Sequence, residues 1–211
     1  MLSQTAEPIV YQGQFGEFTV DEGDRKGVII YRGGLMVAAL SVATAALLVF
    51  FQPSAIAITA LYWLFWAALG VSLFTIHIYF APLHRALQAF WLIGGLASLG
   101  LTLHSSVPLA LYVFDHAIAV LGVGFTFAAL TGIFFKEAFC FDRLETKLLT
   151  PIVPGLLLGH LGGILTTQWE QRLLGAWAVL FLIFAVRKVI QPIPPDIGDK
   201  SVFDYLRTHK A

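Results

Sequence analysis

The chain has 211 residues, of which 58% are hydrophobic, 14% aromatic and only 12% charged, and its 13 Lys and Arg balance 13 Asp and Glu. With a mean hydropathy of +0.80, this composition has too little polar surface to clothe a soluble globule, so lipid must form part of its solvent. Zero formal charge without a basic stripe excludes a nucleic-acid partner, and the single Cys140 excludes an intrachain disulfide framework.

The first 27 residues carry Glu7, Glu17, Asp21, Glu22 and Asp24 ahead of Arg25 and Lys26. That is not the basic-then-apolar order of a cleaved signal peptide, so the first span is expected to be a retained anchor and residues 1–27 a cytoplasmic arm. Within it, IVYQGQFGEFTV (9–20) mixes β-branched and aromatic residues with Gly13 and Gly16, which predicts a short hairpin or extended arm.

Six apolar stretches follow, at 28–51, 56–80, 86–103, 109–135, 151–167 and 173–186, each approaching the ~20 residues that cross a bilayer as a helix. Backbone groups in lipid need internal partners, and continuous apolar runs supply them as helices rather than as a barrel. The expected fold is all-α: a polytopic bundle of six transmembrane helices in a membrane domain of residues 28–190. Counting alternate connections places every Lys and Arg except Arg172 on one side, which predicts cytoplasmic N and C termini.

Short links at Gln52, Pro53, Ser54 and at His104, Ser105, Ser106 make their flanking spans antiparallel neighbours. The longer link 136–150, with Lys136, Glu137, Asp142, Arg143, Glu145 and Lys147, reads as a solvated amphipathic segment. The tail 191–211 holds Pro192, Pro194 and Pro195, followed by Phe203, Tyr205 and Leu206 among charges. It is expected to be a proline-stiffened strap that lies on the bilayer or covers the bundle.

Two ridges of small residues mark helix packing: Gly124, Ala128 and Gly132 in the fourth span, and Gly155, Gly159 and Gly163 in the fifth. Backbones without bulky side chains approach closely and gain contacts that lipid cannot match, either within the bundle or across a homodimer seam. Pro151 and Pro154 are expected in the first turn of the fifth helix, where a missing N–H costs little. Tyr62, Trp63, Trp66 and Trp169 fit an interfacial aromatic belt.

His77, His84, His104, His116 and His160 lie in or beside spans, where polar groups are expensive. His116 and His160 share a depth of roughly 10–13 Å below the outer face at 1.5 Å per residue. Asp115 adjoins His116, and His104 and Glu170 stand at the outer rim, so these five side chains sketch an outward polar pocket. Such a pocket suits a proton or ion relay, a metal, or a histidine under haem or chlorophyll. The alternative is packed histidines bonded to helix carbonyls or hydroxyls. Asp115 and His116 are consecutive and point about 100° apart, without the i, i+3 or i, i+4 spacing of metal ligands. On the cytoplasmic side His77, His84 and Arg85 could cluster with Lys136 and Glu137, although orientation and snorkelling explain them as well. HExxH, GxSxG, Walker A and GxGxxG motifs are missing, which removes zincins, α/β-hydrolases and nucleotide-driven pumps.

The segments VYQGQFGEFTVDE, HIYFAPLHRALQAFW, FKEAFCF and PGLLLGHLGG together resemble a family of uncharacterised integral membrane proteins found mainly in cyanobacteria. The resemblance implies a plasma or thylakoid membrane and makes haem or chlorophyll ligation worth testing, and it brings no catalytic residue. The function expected is a non-enzymatic accessory or assembly factor that contacts a membrane-protein partner, a second copy, or a tetrapyrrole through His116 or His160. The rivals are a small proton-coupled carrier using Asp115, His116, His160, His104 and Glu170, and a metal-dependent intramembrane hydrolase.

Overall fold

Tyr11 and Phe18 face each other across a two-stranded antiparallel hairpin, β1 (Val10–Gly13) and β2 (Gly16–Thr19), with their rings stacked 5.6 Å apart. The computed structural model describes residues 9–202 and Tyr205. Gly16, at φ 140, takes a backbone conformation that few side chains tolerate. The hairpin foreseen at 9–20 therefore forms.

Asp21 then starts α1 (Glu22–Phe51) through a capping box: its carboxylate accepts from the Asp24 N–H at 2.8 Å, and Asp24 accepts from the Asp21 N–H at 3.1 Å. Helices α2 (Ala55–Thr75) and α3 (Ala81–His104) follow, and Ser54 caps α2. The apolar stretch 109–135, expected as one span, is broken. A seven-residue α4 (Leu109–Asp115) stops at His116, and a single 3-10 turn leads into α5 (Val120–Phe141).

A second correction concerns the link 136–150, which is helical almost throughout. Helix α5 runs on to Phe141, Asp142 turns the chain in the left-handed region at φ 49, and α6 (Leu144–Leu161) begins at once. Glu145, Thr146 and Leu149 are buried there, and that packing draws the helix back beyond its apolar part. Pro151 and Pro154 consequently sit inside α6 rather than in its first turn, at the cost of two intrahelical hydrogen bonds. Helix α7 (Thr167–Ile190) and the single-turn α8 (Pro194–Ile197) complete the order.

The described structure is 80% helical. Five helical segments are long and apolar enough to cross a membrane: α1, α2, α3, Ala117–Phe141 and α7. Helix α6 is the shortest of the long helices and is not among these five. It lies between α5 and α7, its Glu145 meeting Arg187 near the end of α7 and its His160 meeting Glu170 near the start.

The apolar core gathers Leu35, Leu69, Leu130, Phe134, Phe181 and Phe184 from α1, α2, α5 and α7. Glycines set the closest approaches, but most are not those of the two small-residue ridges. A Cβ on Gly94 of α3 would collide with the Thr126 backbone of α5, and one on Gly34 of α1 with the Ser72 hydroxyl of α2. Helices α2 and α3 are joined by a reciprocal pair. Trp66 and Trp91 stack at 4.4 Å, each donates its indole N–H to the other's carbonyl (3.1 and 2.8 Å), and each indole covers the partner helix's glycine, Gly95 or Gly70. Trp66 is thus a helix clamp rather than part of an aromatic belt. Tyr62 likewise turns inward, its hydroxyl 2.5 Å from Ser98 Oγ and 3.1 Å from Thr126 Oγ1.

Of the ridge residues, Gly132 packs under Leu87 of α3. Gly159 lies against Leu165 of its own following loop, Gly163 forms a turn at φ 62, and a Cβ on Gly155 would meet nothing within 4 Å. Gly163 is therefore a loop glycine and not a packing residue. Gly124 and Ala128 line an open groove of about 320 Å³ between α5 and α6, opposite Pro154, Leu157 and Leu158.

Candidate functional site

The largest concentration of buried charge lies at the end of the bundle that carries the hairpin and tail. Lys188, fully buried near the end of α7, donates to Glu137 Oε2 of α5 at 2.8 Å and to Asp196 Oδ1 of α8. Glu137 also accepts from Lys136 Nζ at 2.9 Å and from the Tyr31 hydroxyl at 3.0 Å. Asp196 accepts from Arg32 Nε of α1 at 2.8 Å, while the same guanidinium donates to the carbonyls of Gln191 (2.6 Å) and Pro192 (2.9 Å). The Lys188 ammonium lies 4.4 Å from the centre of the Phe141 ring and 5.7 Å from that of Tyr31. Arg143 bonds Gln191 Oε1 at 2.6 Å, and Gln191 Nε2 bonds Asp196 at 3.0 Å.

Removing two carboxylates and their cations from solvent is costly unless nearly every lone pair and proton is matched. This knot matches them, and in doing so it ties α1, α5, α7 and the tail together. At its edge the matching is incomplete: Arg143 Nη1 and Glu145 Oε1 are buried without a partner among the described residues.

Sequence reasoning found only Lys136 and Glu137 of this knot. Arg32 inside the first apolar stretch was the available signal, because a charge at that depth needs a partner. Lys188 looked like an orientation lysine, and nothing local could show that Asp196 folds back to meet it.

Above the knot, the tail and hairpin clasp each other. Gln14 N–H donates to Asp199 Oδ2 at 2.6 Å, Phe15 N–H to Ser201 Oγ at 3.1 Å, and Phe15 stacks on Tyr205 at 4.2 Å. The Tyr79 hydroxyl donates to the Ile197 carbonyl, and Lys200 bonds Asp24 at 2.7 Å. The strap therefore covers the bundle; Phe203 and Leu206 lie outside the described residues.

His77 sits under this clasp, 3.7 Å from Asp24. Burial lowers its pKa from the ordinary 6.5, against the upward pull of Asp24. A histidine lowered in the folded state resists protonation there, so its contribution to stability is intact above about pH 6.5 and is lost as pH falls below that value. The thermal midpoint is expected to drop between about pH 7.5 and pH 5.5, and His77→Gln is expected to narrow that drop. An unchanged drop in His77→Gln contradicts the assignment.

At the opposite end, the outward pocket drawn from sequence comes together only in part. His160 Nδ1 lies 2.7 Å from Glu170 Oε1, and its Nε2 lies 3.4 Å from the Val113 carbonyl. Phe114 stacks on the imidazole at 5.9 Å. His116 is exposed, stacked on Tyr112 at 4.4 Å with Nδ1 3.1 Å from that residue's carbonyl, and Asp115 beside it is also exposed. His104 is exposed too, 2.8 Å from the Gly100 carbonyl. His160 and Glu170 form a pair, while His104, Asp115 and His116 face the exterior.

Both ring nitrogens of His160 face oxygen acceptors, so ligating a haem or chlorophyll would require giving one of them up. Among the described residues, no three His, Cys, Asp or Glu side chains group as a metal site.

Apolar helices with exposed aliphatic flanks around a charged end define a multi-pass helical integral membrane protein. Residues 71–205 match the family described as uncharacterized integral membrane protein (DUF2301), and the chain belongs to that family. No curated protein and no solved structure matches the chain.

Proposed function

We propose that this protein is a non-enzymatic membrane component that acts by contact with a partner's transmembrane helix, in the manner of an accessory or assembly factor. One observation carries the reading: the small residues Gly124 and Ala128 border an open groove instead of closing α5 against α6. A groove floored by small residues gains dispersion contacts from another helix that lipid tails do not supply. In this reading the chain crosses the membrane six times, α6 included, with the charged end and both termini cytoplasmic. A plasma or thylakoid membrane is its setting.

The test places cysteine at Ala128 or Leu158, both on the groove wall, in a Cys140→Ser background and adds a short thiol-to-amine photocrosslinker in native membranes. A discrete adduct is expected, lost when Gly124→Leu fills the groove; an adduct of twice the chain mass identifies a second copy. Crosslinks to lipid alone contradict the proposal.

The His160–Glu170 pair favours a second reading, a small proton-coupled carrier. A neutral imidazole carries one N–H between two acceptors, as a relay requires. Proteoliposomes would then show pH-driven solute or ion flux that Glu170→Gln abolishes, and no flux removes this reading.

A further inference from the structure

A second internal space is separate from both the groove and the charge knot. A cavity of about 210 Å³ lies among α1, α2, α4, α5 and α7, in the half of the bundle remote from the knot. On α1 its wall runs from Ser41 to Val49, about 12 Å at 1.5 Å per residue. The space is therefore long and narrow, about one hydrocarbon chain wide, and too small for a macrocycle when ordinary ligand pockets run to about 300–1,000 Å³. Its lining is aliphatic and aromatic, and the polar groups that border it are largely occupied. The Ser41 hydroxyl donates to the Val37 carbonyl at 2.8 Å, and Tyr62 bonds Ser98 and Thr126.

Trp177 is the exception. It lines the cavity, it is 6% exposed, and its indole N–H is buried with no acceptor among the described residues. An unpaired buried N–H carries a penalty that an oxygen acceptor removes. The cover over the cavity is light. Helix α4 has no side-chain cap at its N-terminus, stops at His116, and is tied to α2 by the Ala110 N–H donating to Thr59 Oγ1 at 3.0 Å.

We infer that this cavity binds one uncharged, single-chain lipid, its carbonyl end innermost at Trp177 and its chain running outward past Val49 and Leu109. An apolar interior stays dry and takes apolar guests, and burial of each CH₂ favours the chain. The carbonyl supplies the acceptor that the indole lacks. An acyl ester and a prenyl ketone share this chemistry.

The probe is a photoactivatable methyl palmitate with a mid-chain diazirine, added to the full-length protein in detergent, with adducts mapped by mass spectrometry. Label is expected on the outer part of the cavity wall, at residues such as Val49, Ile58 and Leu109. Filling the space with Ala45→Phe, or with Ala110→Leu on α4 should the first variant not fold, is expected to cut that label at least about tenfold. Unlabelled methyl palmitate should compete better than hexadecane in the wild type, and Trp177→Phe should weaken the ester about fivefold while leaving hexadecane unchanged. Whichever of the ester and a prenyl ketone competes at lower concentration identifies the source. Label confined to outward-facing Leu47, Leu64 and Val179 and indifferent to both fillings overturns the site. Equal competition by ester and hexadecane overturns the carbonyl assignment.

Discussion

Lys188→Ala is expected to lower the free energy of unfolding by about 3–5 kcal/mol, the range for removing one partner of a buried ion pair. The side chain is fully buried between Glu137 and Asp196. Its loss leaves two buried carboxylates, with only Lys136 as the cation on Glu137 and only Arg32 as the cation on Asp196. Much of the penalty is that of stranded charge rather than of the bond itself, which gives the prediction its signature. The double variant Lys188→Met with Glu137→Gln should recover much of the loss, because the new amide still accepts from Tyr31 and the apolar chain fills the space. Lys147→Ala serves as the control. Its pair with Asp142 is at the surface, with 51% and 86% of the two side chains exposed, and exposed pairs contribute about 0–1 kcal/mol. Denaturation in mixed micelles reads all three. A Lys188→Ala variant no less stable than Lys147→Ala contradicts the knot.

The second large effect is expected at Gly94. Its α-carbon faces the Thr126 backbone so closely that even a methyl group cannot be placed without moving α3 from α5. Gly94→Ala should cost about 1–3 kcal/mol or more, the usual range for overpacking, and Thr126→Ala should restore little of it because the obstruction includes main chain. Gly100→Ala on the same helix meets nothing within 4 Å and should be neutral or stabilising by up to about 1 kcal/mol, since alanine suits a helix interior better than glycine. Thermal unfolding of the two variants side by side separates close packing from helix propensity. Equal effects at the two positions contradict the α3–α5 contact.

Much of this architecture was legible in the residues. Alternating Tyr11 and Phe18 around Gly13 and Gly16 announced a hairpin, and the apolar runs announced helices, because both signals are local. Burial of charge was not local. Glu137 and Glu145 looked solvated because their neighbours in sequence are charged, yet they are buried by α7 and, for Glu137, by Tyr31 of α1. His116 belonged to an apolar run but broke it, and Pro151 lay at the start of an apolar run but within a longer helix. Glycine spacing identified small ridges but not their neighbours: apart from Gly132 under Leu87, the tightest contacts between helices fall at Gly34, Gly70, Gly94 and Gly95, where the facing residue is Ser72, Trp91, Thr126 or Trp66. Pairings of that kind depend on which helix stands opposite, which a single sequence does not encode in its spacing. Of the outward pocket, the likeness in depth drew His160 toward His116, whereas its actual carboxylate partner is Glu170 on the next helix.

The proposed topology puts the charge knot and both chain ends on the cytoplasmic side of a chain that crosses six times. Impermeant thiol labelling of single cysteines in a Cys140→Ser background, before and after permeabilisation, tests it most directly. Ser106→Cys and Thr166→Cys should label from outside, and Gln12→Cys, Lys147→Cys and Lys200→Cys only after permeabilisation. Labelling of Lys147→Cys and Thr166→Cys from the same side would show that α6 does not cross, and would contradict the claim.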